Sequence, residues 1–301
     1  MRKPADNVSC TIFKPIFNAK FFVMKTSGMF YFRNKDLLPS NSLEIIDFDN
    51  VASIYEVIRI IDGIPLFLEK HLERFEKSAG LANESFNFNL SEITANIAKL
   101  ARANQLNTGN VKLSFTFNST NLTISSGELF IYFIPHNYPD NIDYQTGVKL
   151  ISLIAERPNP NAKIHHADLR NQANELIAHE KVFEVLLVNH DGFVTEGSRS
   201  NVFFVSKSKV VTPPLNMILP GITREVLIDL MHYRQIDFEE QMIQLSHLNK
   251  FDAAFVTGTS PKVLPIAQID AFRFNPQHEI LKKMMVLYDQ LILEYLETHR
   301  N

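Results

Sequence analysis

Three short stretches of this 301-residue chain hold side chains that could do chemistry together. The first is Val194-Thr195-Glu196-Gly197-Ser198-Arg199-Ser200-Asn201-Val202-Phe203-Phe204-Val205, two apolar strands broken by a polar, glycine-bearing kink. A carboxylate at the end of the first strand is drawn toward the interior, where an unpaired charge is costly and needs a partner. The second is the loop Arg157 to His166, in which Lys163 is the only lysine between Lys149 and Lys181. The third is a pair of turns, Gly221-Ile222-Thr223 and Gly258-Thr259-Ser260. The earlier turn opens a helix, whose free N–H groups and dipole favour an anion. Singly, each stretch also fits a plainer reading: a solvated hairpin, a surface lysine, two ordinary turns. His165-His166 lacks further ligands at metal spacing, so a loop role is the default and no metal is expected. Together, a lysine, a semi-buried glutamate, an arginine and two phosphate-sized turns are what an aldehyde cofactor bearing a phosphate and a ring nitrogen would use.

The elements that must position these groups are legible. Ala52 to Ile61 is a strand rich in β-branched residues, and Asp62-Gly63 turns it into a hairpin with Ile64 to Leu68. Period-two geometry places Tyr55, Val57 and Arg59 on one face and Ile54, Glu56, Ile58 and Ile60 on the other. The first face is an edge-strand surface or a pocket wall. A helix follows to Gly80 with Leu68, Leu72, Phe75 and Ala79 at helical spacing, and Arg74 sits beside that stripe, able to reach solvent or to hold an anion. A second helix is expected from Ser91, as N-cap, to Ala103, burying Ile93, Ile97 and Leu100. Strands are expected at 111–117, 129–134, 147–154, 184–188 and 253–256, and helices at 167–181, 223–232 and 277–297. The last helix carries an Ile280, Met284, Leu287, Leu291, Tyr295 stripe assigned to core packing. Two prolines and several polar residues make 135–146 the best linker. The expected layout is an irregular extension over 1–25, a small α+β domain over 26–134, that linker, and a larger cofactor-binding domain over 147–301.

Composition narrows the class. At 45% hydrophobic and 21% charged residues with a net charge of −3 and no long run of one sign, nothing points to nucleic acid or an acidic membrane. Cys10 is the only cysteine, and no run approaches the roughly 18 apolar residues of a membrane helix. These features imply a soluble, cytoplasmic protein. GxxxxGK[ST], GxGxxG and GxSxG are absent, so nucleotide loops and a serine elbow are not indicated.

At this point the chain resembles the fold-type IV pyridoxal-phosphate enzymes, the family of branched-chain and D-amino-acid aminotransferases and aminodeoxychorismate lyase. The resemblance spans roughly Tyr55 to Pro265 and rests on Y-E-V-I-R (Tyr55 to Arg59), F-L-E-K-H-L-E-R (Phe67 to Arg74), Ala162-Lys163, V-T-E-G-S-R-S-N-V-F (Val194 to Phe203), G-I-T-R (Gly221 to Arg224) and T-G-T-S (Thr257 to Ser260). Lys163 and Glu196 are 33 residues apart and Tyr55 and Arg74 are 19 apart, spacings that match the family. The resemblance implies an α+β, two-domain fold with a small α/β N-terminal domain and a larger β-barrel-like C-terminal domain flanked by helices, usually a homodimer. It implies that Lys163 forms a Schiff base with pyridoxal 5′-phosphate and that Glu196 faces the pyridine nitrogen. It also implies that Arg74, Ser200, Asn201, Gly221, Ile222, Thr223, Gly258 and Thr259 bind the cofactor.

The implied reaction moves an amino group between an amino acid and a 2-keto acid. The Y-E-V-I-R strand looks more like the transaminase version than the lyase version. The alternatives are aminodeoxychorismate lyase, forming 4-aminobenzoate and pyruvate, and a non-catalytic cofactor-binding protein. Two departures stand out. Ile164-His165-His166 replaces the small or Asn-containing run usual after the lysine, and Phe117 stands where the D-amino-acid enzymes carry a carboxylate-gripping arginine. Tyr55, Arg59, Lys112 and Ser260 are the substrate candidates, with Arg59 beside Tyr55 the preferred source of charge and the partner subunit another.

Overall fold

The computed structural model describes residues 26–42, 52–82, 88–117 and 127–300. The expected extension over 1–25, with Cys10, lies outside them. Two sheets carry the molecule. The first is built from β1 (Phe30–Arg33), β2 (Asp36–Pro39), β3 (Ser53–Ile61), β4 (Ile64–Pro65), β5 (Gly109–Thr116) and β6 (Leu129–Ile134), in the order β2-β1-β6-β5-β3-β4. Asp62 and Gly63 close the β3–β4 hairpin at φ 51° and 81°, the two positive angles that a twist-matched two-residue turn requires.

Register explains the faces. Ile54 opposes Phe115, Glu56 opposes Leu113 and Ile58 opposes Val111, so these side chains share the face covered by α1 (Leu68–Leu81) and α2 (Leu90–Asn104). Leu68, Leu72, Phe75 and Ala79 of α1 and Ile93, Ile97 and Leu100 of α2 are buried there, on the stripes their spacing predicts. Glu56 is the exception, a carboxylate with 0% exposure on an otherwise apolar face. Tyr55, paired with Ser114, and Lys112, paired with Val57, lie on the opposite face.

The second sheet draws β7 (Val148–Ile154), β8 (Glu184–Val188), β9 (Phe193–Gly197), β10 (Asn201–Ser206), β11 (Lys209–Thr212), β12 (Phe238–Glu240), β13 (Ile243–Gln244), β14 (Ala253–Gly258), β15 (Lys262–Ile269) and β16 (Phe272–Arg273) into the order β12-β11-β10-β14-β15-β7-β8-β9-β13, with β16 on β15. Its helices are α3 (Asn141–Thr146), α4 (Ala167–Glu180), α5 (Ile222–Tyr233) and α6 (Glu279–Thr298). One face packs on α5 and α6, where Phe203 and Phe255 stack with ring centres 5.0 Å apart. Leu66 and Phe67, from the end of the first hairpin, join that core.

Several expectations are corrected. Asn89, not Ser91, caps α2, its side chain accepting from Glu92 N at 3.0 Å. The strand expected over 64–68 stops at Pro65, and Phe67 turns left-handed at φ 50° before α1. Residues 141–146 of the expected linker are helical because Asp140 and Asp143 form a reciprocal capping box. On α6 Met284 and Leu287 of the expected stripe are buried, together with Leu281, Tyr288, Ile292 and Leu296, while Ile280, Leu291 and Tyr295 only flank them.

Candidate active site

Lys163 belongs to the loop after β7, yet the first sheet holds it. Tyr55 N donates to the Lys163 carbonyl at 3.1 Å, His165 N donates to the Ser53 carbonyl at 2.9 Å, and Ile164 bridges Ile54. Lys163 N donates to Ser78 Oγ of α1 at 3.2 Å. This stitching extends the β3 edge by a short antiparallel stretch and sets Lys163 Nζ 4.8 Å from the centre of the Tyr55 ring. Burial lowers the pKa of the Lys163 amine. Tyr55 and Glu56 oppose that shift, while Arg74 and Arg157 add to it. No carboxylate lies within ion-pair distance of Lys163 among the described residues, so its amine is drawn toward the neutral, nucleophilic form.

An open cleft brings Lys163 together with Glu196, Arg74, Ser200, Asn201, Gly221, Ile222, Thr223, Gly258 and Thr259. Glu196 ends β9 and is fixed at both oxygens. Arg157 Nε donates to Oε1 at 2.7 Å and Leu219 N donates to Oε2 at 3.1 Å. Leu219 in turn offers its carbonyl to Asn201 Nδ2 at 2.9 Å, so β9, β10 and the turn before α5 are tied in one chain of hydrogen bonds. Gly221 has an ordinary φ of −69° and is needed for space, since a Cβ there would overlap Asn201 Oδ1.

Arg74 reaches the same cleft from α1. Its Nε and Nη2 donate to the two oxygens of Glu56 at 2.7 and 2.6 Å, and Nη1 donates to the Pro220 carbonyl at 2.9 Å. His71 Nδ1 lies 2.8 Å from Glu56 Oε2. Of the five N–H groups of a guanidinium, two remain for a ligand. Beside them are the first N–H groups of α5, which have no partner within the helix, the Thr223 hydroxyl, and Thr259, whose hydroxyl donates to the Val57 carbonyl at 3.2 Å. Thr257 lines the cleft, and its Oγ1 is buried and without a partner among the described residues.

A class IV amino-transferase family model matches residues 53–269. The chain belongs to this family. Pyridoxal 5′-phosphate is the cofactor of class IV aminotransferases. The residues here fit it: a desolvated lysine, an orphaned threonine hydroxyl, a helix N-terminus backed by a guanidinium, and a fixed carboxylate in one cleft. A branched-chain-amino-acid aminotransferase-like protein of Arabidopsis thaliana is 29% identical, over 78% of this chain and 45% of its own length. The present chain thus spans less than half of that protein. D-alanine aminotransferase of Bacillus licheniformis is 29% identical over 72% of this chain and 78% of its own, and aminodeoxychorismate lyase of Bacillus subtilis is 24% identical over 79% and 85%. A crystal structure of the branched-chain aminotransferase of Thermoproteus uzoniensis superposes with a TM-score of 0.78, covering 90% of this chain and 97% of that one at 22% identity, and has the same fold.

In this member of the family, Tyr55 lines a second, smaller cleft with Arg157, His165, His166, Leu169, Arg170 and Ser198. The histidines expected on a surface loop are half-buried here. Burial, with Lys112, Arg170 and His166, pushes His165 down to about 4. Burial alone would raise the Tyr55 phenol, but Lys163, Arg170, Arg157 and Lys112 outweigh it and bring it to about 7. The remaining substrate candidates lie apart. Arg59 lines neither cleft; it stacks 4.0 Å from the Tyr138 ring centre and donates to the Ser260 carbonyl at 3.3 Å. Ser260 accepts from Asn110, and Lys112 Nζ stands 5.0 Å from the Tyr55 ring centre without lining either cleft.

The sequence reading missed Arg157, Arg170, Glu184 and the Glu56–His71 pair. Glu184 on β8 accepts from Ser200 Oγ at 2.8 Å, from Ser198 Oγ at 3.3 Å and from Arg199 N, holding the Gly197–Asn201 kink in shape. A usable signal existed for both glutamates: each is the only carboxylate within a β-branched or apolar strand run, where a carboxylate persists only when satisfied. No comparable signal marked the two arginines, which a loop and a helix bring together.

Proposed function

We propose that this chain is a pyridoxal-phosphate-dependent aminotransferase that moves the amino group of an amino acid to a 2-keto acid, acting as a homodimer in the cytoplasm. One observation carries the reading: the desolvated amine of the half-buried Lys163, unpaired among the described residues, shares a cleft with a fixed carboxylate and an anion-ready helix N-terminus. The family's usual assembly supports the dimer, and a single cysteine fits a reducing compartment. Sheets drawn from 30–134 and 148–273 support domains at 26–134 and 147–301, with 135–146 between them.

When bound, the cofactor supplies an electron sink for the pair left as the substrate Cα–H bond breaks. Lys163 Nζ, biased toward neutrality by burial, takes that proton and later returns it. Glu196 holds a proton at the ring nitrogen; each of its oxygens keeps one lone pair beyond the Arg157 and Leu219 bonds. Arg74, with its remaining N–H groups, Gly221, the N–H groups of Ile222 and Thr223, the Thr223 hydroxyl and the backbone of Thr259 would hold the phosphate. Gly258 keeps the Thr259 turn close to it. Ser200 and Asn201, locked by Glu184 and Leu219, wall the ring.

Visible absorbance of the protein with pyridoxal phosphate, before and after a panel of L- and D-amino acids, tests this beside Lys163→Ala. A protein-specific band that a donor shifts in wild type and not in the variant is the expected result. A band that no donor changes would overturn it in favour of a non-catalytic cofactor-binding protein. The lyase relative motivates one further arm, aminodeoxychorismate without an acceptor: release of pyruvate there assigns the lyase reaction instead.

A further inference from the structure

Around Tyr55 the cations outnumber their partners. Arg157 is matched by Glu196 and Arg74 by Glu56. Arg170, in the first turn of α4, has no carboxylate within ion-pair distance among the described residues, and its side chain's one hydrogen bond among them goes from Nη2 to the Tyr55 hydroxyl at 3.4 Å. Arg199 stands near enough that Arg170 adds to the depression of its pKa, behind the effect of burial. Glu184, the nearby carboxylate, already accepts from two serine hydroxyls and a backbone N–H. The small cleft that Arg170 and Tyr55 share has, among the described residues, Leu169 as its one aliphatic wall. It adjoins the Lys163 cleft, since Lys163 Nζ lies over the Tyr55 ring and the Arg157–Glu196 pair has one member in each lining.

We propose that Arg170, with the Tyr55 hydroxyl, is a carboxylate-binding subsite for the amino-acid and keto-acid substrates, supplied by the helix that follows the catalytic lysine. The proposal rests on the aminotransferase reading. A guanidinium offers a planar fork that matches a carboxylate, and in a partly desolvated cleft with excess positive charge that contact is strong. The field that draws the Tyr55 phenol toward its anion acts on a carboxylate in the same way. Every substrate of the reaction brings an α-carboxylate, and acidic substrates bring a second, so either group could be the occupant. The subsite takes the place of Arg59, which the structure holds at Ser260 and Tyr138.

The test uses the cofactor-loaded protein and Arg170→Gln, with Arg170→Lys as the second variant. Retention of the cofactor's visible absorbance shows that each is folded and loaded. Half-reaction KM values are compared for an apolar amino acid, an acidic amino acid and an amine lacking the α-carboxylate, and binding of propionate and succinate is followed by calorimetry. The expected result is a rise in KM of about 100-fold in Arg170→Gln with partial recovery in Arg170→Lys, and a parallel loss of carboxylate binding. A rise for both amino acids, with loss of propionate, assigns the α-carboxylate. A rise confined to the acidic amino acid, with loss of succinate alone, assigns the side chain. Unchanged KM and unchanged binding in loaded variants would overturn the subsite while leaving the aminotransferase reading intact. Failure of every donor with the loaded wild type would sink that reading instead.

Discussion

Arg157 Nε and Glu196 Oε1 meet at 2.7 Å, with their side chains only 8% and 4% exposed. A pair so sealed has given up its hydration, and removing one member leaves the other charge without compensation. Arg157→Met is therefore expected to destabilise the cofactor-free protein by about 3–5 kcal/mol in urea unfolding. Adding Glu196→Gln to it should recover part of that loss, because the stranded charge is gone. A single-variant loss below about 1 kcal/mol, the range of an exposed pair, would contradict the pairing.

Glu56 makes stability pH-dependent. Burial alone would raise its pKa, but Arg74 and His71 outweigh that and hold it near about 2, against a reference of 4.5. The folded value is depressed, so the stabilisation is complete above about 4.5 and is lost as pH falls through about 2. Its size is on the order of 3 kcal/mol. Unfolding free energy measured across that window should fall with acid in wild type. Glu56→Gln, less stable at neutral pH, should show a flatter curve, and an equally steep one would assign the acid lability to other groups.

Gly221→Ala probes the hold on the ligand cleft. A Cβ there would overlap Asn201 Oδ1, forcing the Asn201 amide away from the Leu219 carbonyl it now meets at 2.9 Å. Since φ is −69°, no backbone strain adds to the effect. Overpacking of this kind costs about 1–3 kcal/mol. The variant should lose affinity for pyridoxal phosphate by roughly tenfold in a fluorescence titration, with helix content unchanged. Wild-type affinity would show that Asn201 yields without consequence.

What was legible in the sequence follows from how each residue is placed. The hairpin at Asp62-Gly63, the buried stripes of α1 and α2 and the Lys163 and Glu196 motifs are set by local periodicity, turn chemistry and short motifs, which a chain displays openly. Arg157 and Arg170 are not, because their meaning depends on a loop stitched across to β3 at Ile54 and Tyr55, a contact between segments about a hundred residues apart. Arg59 was misread for the same reason. Its face was right, but a long strand carries it past the cleft to Tyr138 and Ser260, and only the tertiary partner reveals that. Asn89 and Ser91 are both good caps, and the hydrogen bond from Glu92 N goes to the Asn89 side chain.

Tyr55 offers a spectroscopic check on the cluster of cations. Its phenol, raised by burial but lowered further by Lys163, Arg170, Arg157 and Lys112, stands at about 7 against an ordinary 10.0. In the cofactor-free protein, near-ultraviolet phenolate absorbance should therefore show one tyrosine titrating well before the rest, and Tyr55→Phe should remove that step. Lys163→Met, which deletes the foremost of the opposing charges, should move the step upward. The linkage has a definite sign: the unfolded chain holds the proton longer, so stability conferred by Tyr55 grows as pH rises from about 7 toward 10 and is absent below that window. Wild type should then gain on Tyr55→Phe between those limits. A first tyrosine titrating near 10 would mean that the positive field around Lys163 and Arg170 is screened, and with it the argument for a carboxylate at that cleft.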